Sequence, residues 1–518
     1  MASNEKTPMP PRILIGIFGW ILTFSALGIG GTLLIYDLVW ASQNPYVGVV
    51  IYLITPMFIS AGVGLVGLSW FLRYRRRKRY GQEAALLVDL RNPSHLMKIK
   101  TVGMGLTLFA CVSAVATYRS YQFAESTQFC GLTCHKVMTP EYTTYRNSPH
   151  ASVACVECHI GAGADWYVKS KMSGLRQVYR YSLSTYHLPV ETPIRNLRPA
   201  RETCQECHWP EKFSGNLEKT LTHYQKDEAN TPYSVRLLLK VGGGQGEKAT
   251  GIHWHVSSGQ RIEYIASDRQ RMTIPWVRMT GPDGKTTVFT SKDCDPNISS
   301  STEEKRTMDC IDCHNRPSHI FNDPAPMVDK AIASGDIDVH LPNVKSTIME
   351  LFEKPYPSTP SALAALEKGL KETYLAGGEV KPATLEPEVQ RAVQAIQKVY
   401  SSNFFPEMGV DWTTHPNFIG HFRWDGCYRC HDGEHTSQSG EVISHDCNTC
   451  HLMIGQGEGF EETRNMPYGT SEFNHPMDMG ALSPGDKCTD CHAAPPPTDY
   501  SKGPKESVQA QAANPDKG

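Results

Sequence analysis

Charge is absent from three long stretches near the N-terminus of this 518-residue chain: Ile13–Tyr36, Val47–Leu72 and Thr101–Tyr118. Apolar runs of this kind are long enough, or nearly so, to cross roughly 30 Å of hydrocarbon as helices. A wholly soluble protein is thereby excluded, and transmembrane helices are expected over about 13–36, 47–72 and 99–118. No A-x-A cleavage signal follows the first run, which is too long for the apolar core of a leader, so an uncleaved anchor is expected. Histidine is missing from all three runs, which rules out haem ligated inside the bilayer. Acidic residues are scarce between Arg73 and Lys100, where nine basic residues face only Glu83 and Asp89. Such a loop between two spans marks the cytoplasmic side. A binding site for nucleic acid or anionic lipid is the rival reading, but topology is the commoner cause of the pattern and no nucleic-acid partner is expected. Everything beyond Tyr118 then lies outside the cytoplasm, and removing the loop's charge leaves the remainder at −9 against the chain's total of −2.

Cysteine is what the sequence has in excess. Of its 16 cysteines, 14 fall into motifs that end in histidine. Six read C-x-x-C-H: Cys155/Cys158/His159, Cys204/Cys207/His208, Cys310/Cys313/His314, Cys427/Cys430/His431, Cys447/Cys450/His451 and Cys488/Cys491/His492. The earliest, Cys130/Cys134/His135, carries one extra residue between its thiols. Chance would supply about 0.02 C-x-x-C-H motifs in a chain of this composition. Two thiols of such a motif bond a porphyrin, and the adjacent histidine reaches its iron. Structural zinc would need paired C-x-x-C units, and a disulfide framework would not require the final histidine. Seven covalently bound haems c are therefore expected. Cys111 and Cys294 stand apart from the motifs.

The fold class expected is a three-helix membrane anchor carrying an extracytoplasmic multihaem domain, mainly irregular and α-helical with a β-rich insertion. The anchor is residues 1–118, with its basic loop at 73–98. A tetrahaem region follows at 119–320, with the β-rich insertion at 211–309. In that insertion Val235–Val241, Ile252–Val256, Arg261–Ala266, Thr273–Met279 and Thr286–Thr290 read as strands, with a turn at Pro282-Asp283-Gly284. Residues 321–420 are patterned as helices: Leu363, Leu366 and Leu370, then Val389, Val393 and Ile396, recur at intervals of three or four. Three motifs crowd into 421–495, and a disordered tail is expected over 496–518.

Thirteen of the 20 histidines lie outside the motifs and are candidates for the second axial position of each iron. His150, His319, His421 and His435 sit at short offsets from motifs, and His475 follows. His253 and His255 would share one face of a strand, so only one of them is expected to bind.

The stretch from Cys130 to His319 resembles the NapC/NirT family of membrane-anchored quinol dehydrogenases. CHKVMTPEY, NSPHASVACVECHIGAG and CIDCHNRPSH look like its first, second and fourth haem segments. The resemblance implies that His319 serves the second haem and His150 the fourth. It also implies a methionine ligand to the first iron, for which Met138 stands as an alternative to His135, and a quinol-side lysine at Lys171 or Lys169. The family's acidic partner is absent from Lys171–Arg180, and Asp165 is its substitute. The function implied is oxidation of menaquinol from the membrane pool at the outer face of a bacterial inner membrane, with electrons leaving to small periplasmic c-type cytochromes. The alternative is a terminal reductase, or the electron-transfer subunit of a periplasmic nitrogen- or sulfur-oxide reductase. Reductases of that kind often carry C-x-x-C-K, which this chain lacks.

The charge argument is tested by a reporter fused at Gly81. It should be active only in the cytoplasm, and periplasmic activity there would overturn the topology.

Overall fold

The computed structural model describes residues 11–40, 54–80, isolated positions between 93 and 119, 121–133, 135–161, 164–190, 192–194, 198–298, 305–376, 382–458, 473–477, 486–498 and 500. In chain order the longer helices are α1 (Pro11–Trp40), α2 (Thr55–Tyr80), α3 (His135–Arg146), α4 (Ala164–Ser182), α5 (Pro324–Ala333), α6 (Val344–Phe352), α7 (Thr359–Leu375) and α8 (Pro382–Asn403). The strands are β1 (Leu217–Tyr224), β2 (Pro232–Leu239), β3 (Arg261–Ile265), β4 (Trp276–Thr280), β5 (Thr286–Thr290), β6 (Arg306–Thr307), β7 (Thr436–Ser437) and β8 (His451–Glu458). They belong to two compact units, Met1–Thr133 with Ala154–Ser184 and Cys134–Val153 with Thr185–Gly518.

In the first unit α1 and α2 are each long and apolar enough to cross a membrane. They pack through small residues: a Cβ on Gly19 would lie 2.8 Å from the Gly62 carbonyl oxygen, and Ser69 Oγ donates to the Arg12 carbonyl at 2.6 Å. Close backbone approach of this kind is how helices associate where lipid removes the hydrophobic drive. Helix α2 differs from the expected 47–72. Its described part begins at Thr55 and runs through the basic cluster to Tyr80, with Arg77, Lys78 and Arg79 in its last turn. Cations there complement the carbonyl end of the helix dipole, so the basic stretch extends the helix rather than breaking it. The third run, expected over 99–118, lies mostly outside the described residues, as does Cys111.

The second unit holds two antiparallel sheets, ordered β1-β2-β8 and β6-β3-β4-β5-β7. The turn at 281–284 closes the β4–β5 hairpin, with Gly284 at φ 77° and its N–H on the Gly281 carbonyl. Ile252–Val256 is not a strand but a 3₁₀ turn, entered through Gly251 at φ 70°. Each sheet is completed from far along the chain. Strand β8 pairs with β2, and β7 with β5, so the last motifs are woven into the sheets.

Helices α5 to α8 build the largest apolar core. Of the positions picked out by periodicity, Leu366, Leu370, Val389, Val393 and Ile396 are buried there, and Leu363 is partly buried against them. Ser358 caps α7 in a capping box with Ser361, which fixes where that helix starts. One charged pair is sealed against this core, Lys345 with Asp329. Lys345 Nζ also donates to the Ala325 carbonyl at 2.7 Å, while Asp329 accepts from the Tyr224 N–H at 3.1 Å and joins the helices to β1. Burial lowers the Lys345 pKa, and Asp329 opposes that shift. Near the start of the expected tail Tyr500 donates to Asp411 at 2.9 Å, and just before it the Ala494 N–H binds the Arg423 carbonyl.

Lys345→Met should strand the Asp329 charge and destabilise the second unit by about 3–5 kcal/mol. Thermal melts should show the loss, and Asp329→Leu in the same chain should recover part of it. An unchanged melting temperature in the single variant would show that the pair does not hold the core.

Candidate haem-binding and electron-transfer site

The motifs fold as single turns. Cys155–His159 and Cys488–His492 are one-turn helices, and elsewhere the motif histidine N–H returns to the first cysteine's carbonyl: His208 to Cys204 and His314 to Cys310 at 2.8 Å, His431 to Cys427 at 3.0 Å. One turn brings both thiols and the histidine to one side, which is what attachment and ligation of one porphyrin need. The extra residue of the first motif falls in a π-turn, Phe129–Thr133, whose wider ring takes in one more residue. The side chains of Cys134 and His135 lie outside the described residues.

Among the described residues, five motif histidines each face one histidine from outside the motifs. The ring centres are 6.2 Å apart for His208 and His150, 6.4 Å for His314 and His253, and 5.7 Å for His431 and His255. They are 6.2 Å apart for His451 and His421, and 5.9 Å for His492 and His475. Imidazole–metal bonds of about 2 Å, with each ring centre about 1.2 Å behind its nitrogen, put two ligands on opposite faces of one iron at about 6.4 Å. The observed separations lie near that value. Nδ1 is engaged by a backbone carbonyl in His150 (Pro317, 3.3 Å), His253 (Val241, 3.1 Å), His255 (Ile252, 2.8 Å), His431 (Ser444, 2.8 Å) and His475 (Met477, 3.1 Å). That contact leaves Nε2 as the ligating atom and fixes the ring. Burial lowers the pKa of His255, His314, His421, His451 and His492, keeping them in the neutral form that binds metal. The donor set and spacing fit haem c.

Several placements differ from the sequence reading. His150 stands against His208 of the third motif, while His314 of the fourth faces His253. Both His253 and His255 reach a motif histidine, because residues two apart in a 3₁₀ turn point about 120° apart rather than to one face. His435 faces no motif histidine among the described residues. It is buried with Nδ1 on Asp432 at 2.9 Å and Nε2 on the Ile274 carbonyl at 2.7 Å, so both ring nitrogens are committed to the fold. Burial works against its charge, but Asp432 and the Ile274 carbonyl raise its pKa above the ordinary value. His319 is fixed by Nδ1 on the Glu141 carbonyl at 2.9 Å. Met138 is half-buried on α3, and Lys169 is exposed on α4 with Nζ 4.6 Å from the Trp166 ring centre. The side chains of Asp165 and Lys171 lie outside the described residues.

The thiols of a motif, equivalent in the sequence reading, are not equivalent in the fold. In the second and third motifs Cys158 and Cys207 are exposed, whereas Cys155 and Cys204 are half-buried. The physical reason is which neighbour each thiol meets. Cys155 and Cys204 open their turns against the cysteine of another motif, while Cys158 and Cys207, three residues on, have rotated to the surface side of the turn. Spacing rather than burial therefore marks Cys158 and Cys207 as attachment points. Cys491 is exposed in the same way, and Cys447 is exposed at the start of its motif.

Within each unit, neighbouring motifs lie close together. The thiols of Cys130 and Cys155 are in hydrogen-bonding contact in the first unit, as are those of Cys204 and Cys310 in the second. Cys313 lies near Cys427, Tyr428 near Cys447, and Cys447 near Cys488. A cavity between the fifth and sixth motifs is lined by His421, Cys427, His431, Cys447, Cys450 and His451.

Motif spacers, passed over in the sequence, hold these neighbours in place. Asp312 of CIDCH is buried, and its carboxylate accepts from Tyr264 at 2.7 Å, Arg271 at 2.5 Å and the Asp309 N–H at 2.7 Å. Arg429 of CYRCH donates to the Asp312 carbonyl at 2.6 Å, the Arg271 carbonyl at 2.8 Å and the Gly426 carbonyl at 2.8 Å. The Arg201 N–H, beside the third motif, binds Asp309 at 3.1 Å. A charged residue between the two cysteines of a motif was the available signal.

Residues 92–192 match the N-terminal region of the NapC/NirT cytochrome c family. The chain is also 41% identical over 489 residues to the cytochrome c-type protein ImcH of Geobacter sulfurreducens, covering 93% of this chain and 95% of that protein. This chain belongs to the NapC/NirT cytochrome c family. It is an ImcH-like multihaem electron-transfer cytochrome, and its apolar N-terminal helices are consistent with the membrane anchoring typical of the family. No solved structure matches it.

Replacing His253 or His255 with Ala should each convert one haem equivalent from low-spin to high-spin or water-ligated form, with the covalent haem count unchanged. His435→Gln should leave the spin count unchanged and cost about 1–3 kcal/mol of stability through the stranded Asp432. Spectra that respond only to His435→Gln would reverse the assignment.

Proposed function

We propose that this protein oxidises menaquinol at the outer face of a bacterial inner membrane and delivers the electrons, through seven covalent haems c, to small periplasmic cytochromes. The observation that carries this reading is the run of paired histidines on adjacent motifs. Five sites of two strong ligands favour transfer over substrate binding at iron, which needs an open position. Haem c bound at the motifs supplies one-electron transfer between neighbouring centres. The absence of histidine from the apolar runs leaves entry at the membrane surface, close to the first motif. Quinol oxidation releases two protons with its two electrons. The candidates to receive and steer those protons are Lys169, Lys171 and Asp165 on α4, with Met138 or His135 as the ligand that leaves one face of the first site towards quinol. Both products leave on one side of the membrane, so this step separates no charge across it. The acidic remainder of the chain suits a basic acceptor drawn by opposite charge.

Lys171→Ala or Met138→Ala should slow haem reduction by a menaquinol analogue by about tenfold or more, while reduction by dithionite stays unchanged. Cys488→Ala with Cys491→Ala should remove one haem and slow reoxidation by a basic cytochrome, leaving quinol-driven reduction of the other haems intact. Stopped-flow traces at two ionic strengths check both. Reoxidation that ignores both salt and the missing haem would overturn this exit route, and wild-type protein that dithionite but not quinol reduces would overturn quinol oxidation.

A further inference from the structure

Helix α4 carries an apolar edge that none of the described residues of its own unit covers. Met172, Leu175 and Tyr179, with Leu183 just past the last turn, are 61%, 66%, 65% and 54% exposed. At about 100° per residue these four positions fall within a sector of about 80°. Lys169, Arg176 and Arg180 fall along one adjoining flank. The lipid-facing side chains of α1 are no more exposed, with Phe18 at 60% and Phe24 at 64%. The contrast with α5 to α8 is direct, because among the described residues those helices expose no large apolar side chain. Helix α4 also packs against α1, which is long and apolar enough to cross a membrane, within the first unit.

We infer that α4 lies in the plane of the outer leaflet, its Met172–Leu175–Tyr179–Leu183 edge set among acyl chains and its basic flank against anionic headgroup phosphates. A helix with this division of residues rests at the interface rather than crossing it. Aromatic Tyr179 and the long Lys169 and Arg176 side chains suit the boundary, where an apolar stem and a polar tip are both satisfied. The occupant is the bilayer itself: α4 packs against a helix long and apolar enough to span it, and the basic flank is complementary to phosphatidylglycerol. The inference rests on anchoring by α1 and α2 and not on the identity of the electron donor. It adds to the proposed function that the residues offered for proton handling ride on a helix held at the depth where a lipid-soluble quinol partitions.

The full-length holoprotein, one copy per nanodisc of phosphatidylethanolamine and phosphatidylglycerol, is tested with a phospholipid bearing a photoreactive diazirine in its acyl chain. After illumination, peptides covering 172–183 should carry lipid adducts at a yield comparable to α1 peptides. Leu175→Glu should lower the α4 yield by about tenfold and leave α1 labelled, and Arg176→Gln should lower it only in discs containing phosphatidylglycerol. Adducts on α1 with none on α4 in the unaltered protein overturn the inference, and protein–protein cross-links at these residues in discs holding two copies would then assign the edge to a second copy. Adducts on α4 in a protein that quinol cannot reduce would leave the inference standing and remove the quinol reading instead.

Discussion

The contact between Asp312 and Arg429 is the constraint on which the rest of the second unit depends. Each residue lies between the two cysteines of a motif, so each is held within a few bonds of a haem attachment point. The Asp312 carboxylate is buried and takes donors from Tyr264, Arg271 and the Asp309 backbone, while Arg429 spans the Asp312, Arg271 and Gly426 carbonyls and lies 3.7 Å from the Phe418 ring centre. Buried charges this well satisfied are costly to rearrange. The fourth and fifth motifs are thus locked to each other, and through the Asp309–Arg201 contact to the third. Electron transfer between neighbouring centres needs fixed spacing more than it needs any one side chain, and charged spacers provide it where regular secondary structure is thin.

The same logic accounts for Gly426. Its φ is 49°, and a Cβ there would run into the Gly420 carbonyl oxygen. The chain closes on itself between these two glycines, which is how His421 returns to the sixth motif's His451 while Arg429 remains turned towards the fourth. A tight reversal and a buried arginine together set two histidine pairs, and neither group is a ligand.

The haem-bearing part of the second unit is consequently not a string of separable modules. Strand β8 begins at the motif histidine His451 and completes the sheet of β1 and β2, and β7 completes the sheet of β3 to β6. A motif near the end of the chain therefore supports strands laid down two hundred residues earlier. The helical core of α5 to α8 stands beside this weave as an ordinary apolar core, tied to it by the Asp329 contact to β1 and by Arg423, which donates to Asp323 at 2.6 Å.

Covalent attachment chemistry, the apolar N-terminal runs and the amphipathic periods of α7 and α8 were all legible in the sequence, because each is set by residues close together in the chain. Leu366 or Val393 is buried for the same reason that its spacing is three or four. Which thiol of a motif is sheltered and which, like Cys158 or Cys207, stands at the surface was not legible, because it depends on the neighbouring motif. Nor was it legible which histidine faces which motif. His150 lies against His208 because the chain around it is held at Pro317, and His253 and His255 diverge because Gly251 turns Ile252–Val256 into a 3₁₀ segment. His435 sits as close to its motif as any candidate ligand, yet Asp432 and the Ile274 carbonyl claim both its nitrogens. Offsets along the chain measure only how far a side chain can reach. For His150 and His435 a hydrogen-bonding partner 167 or 161 residues away decides which way the ring points, and it is brought near only by the folded chain.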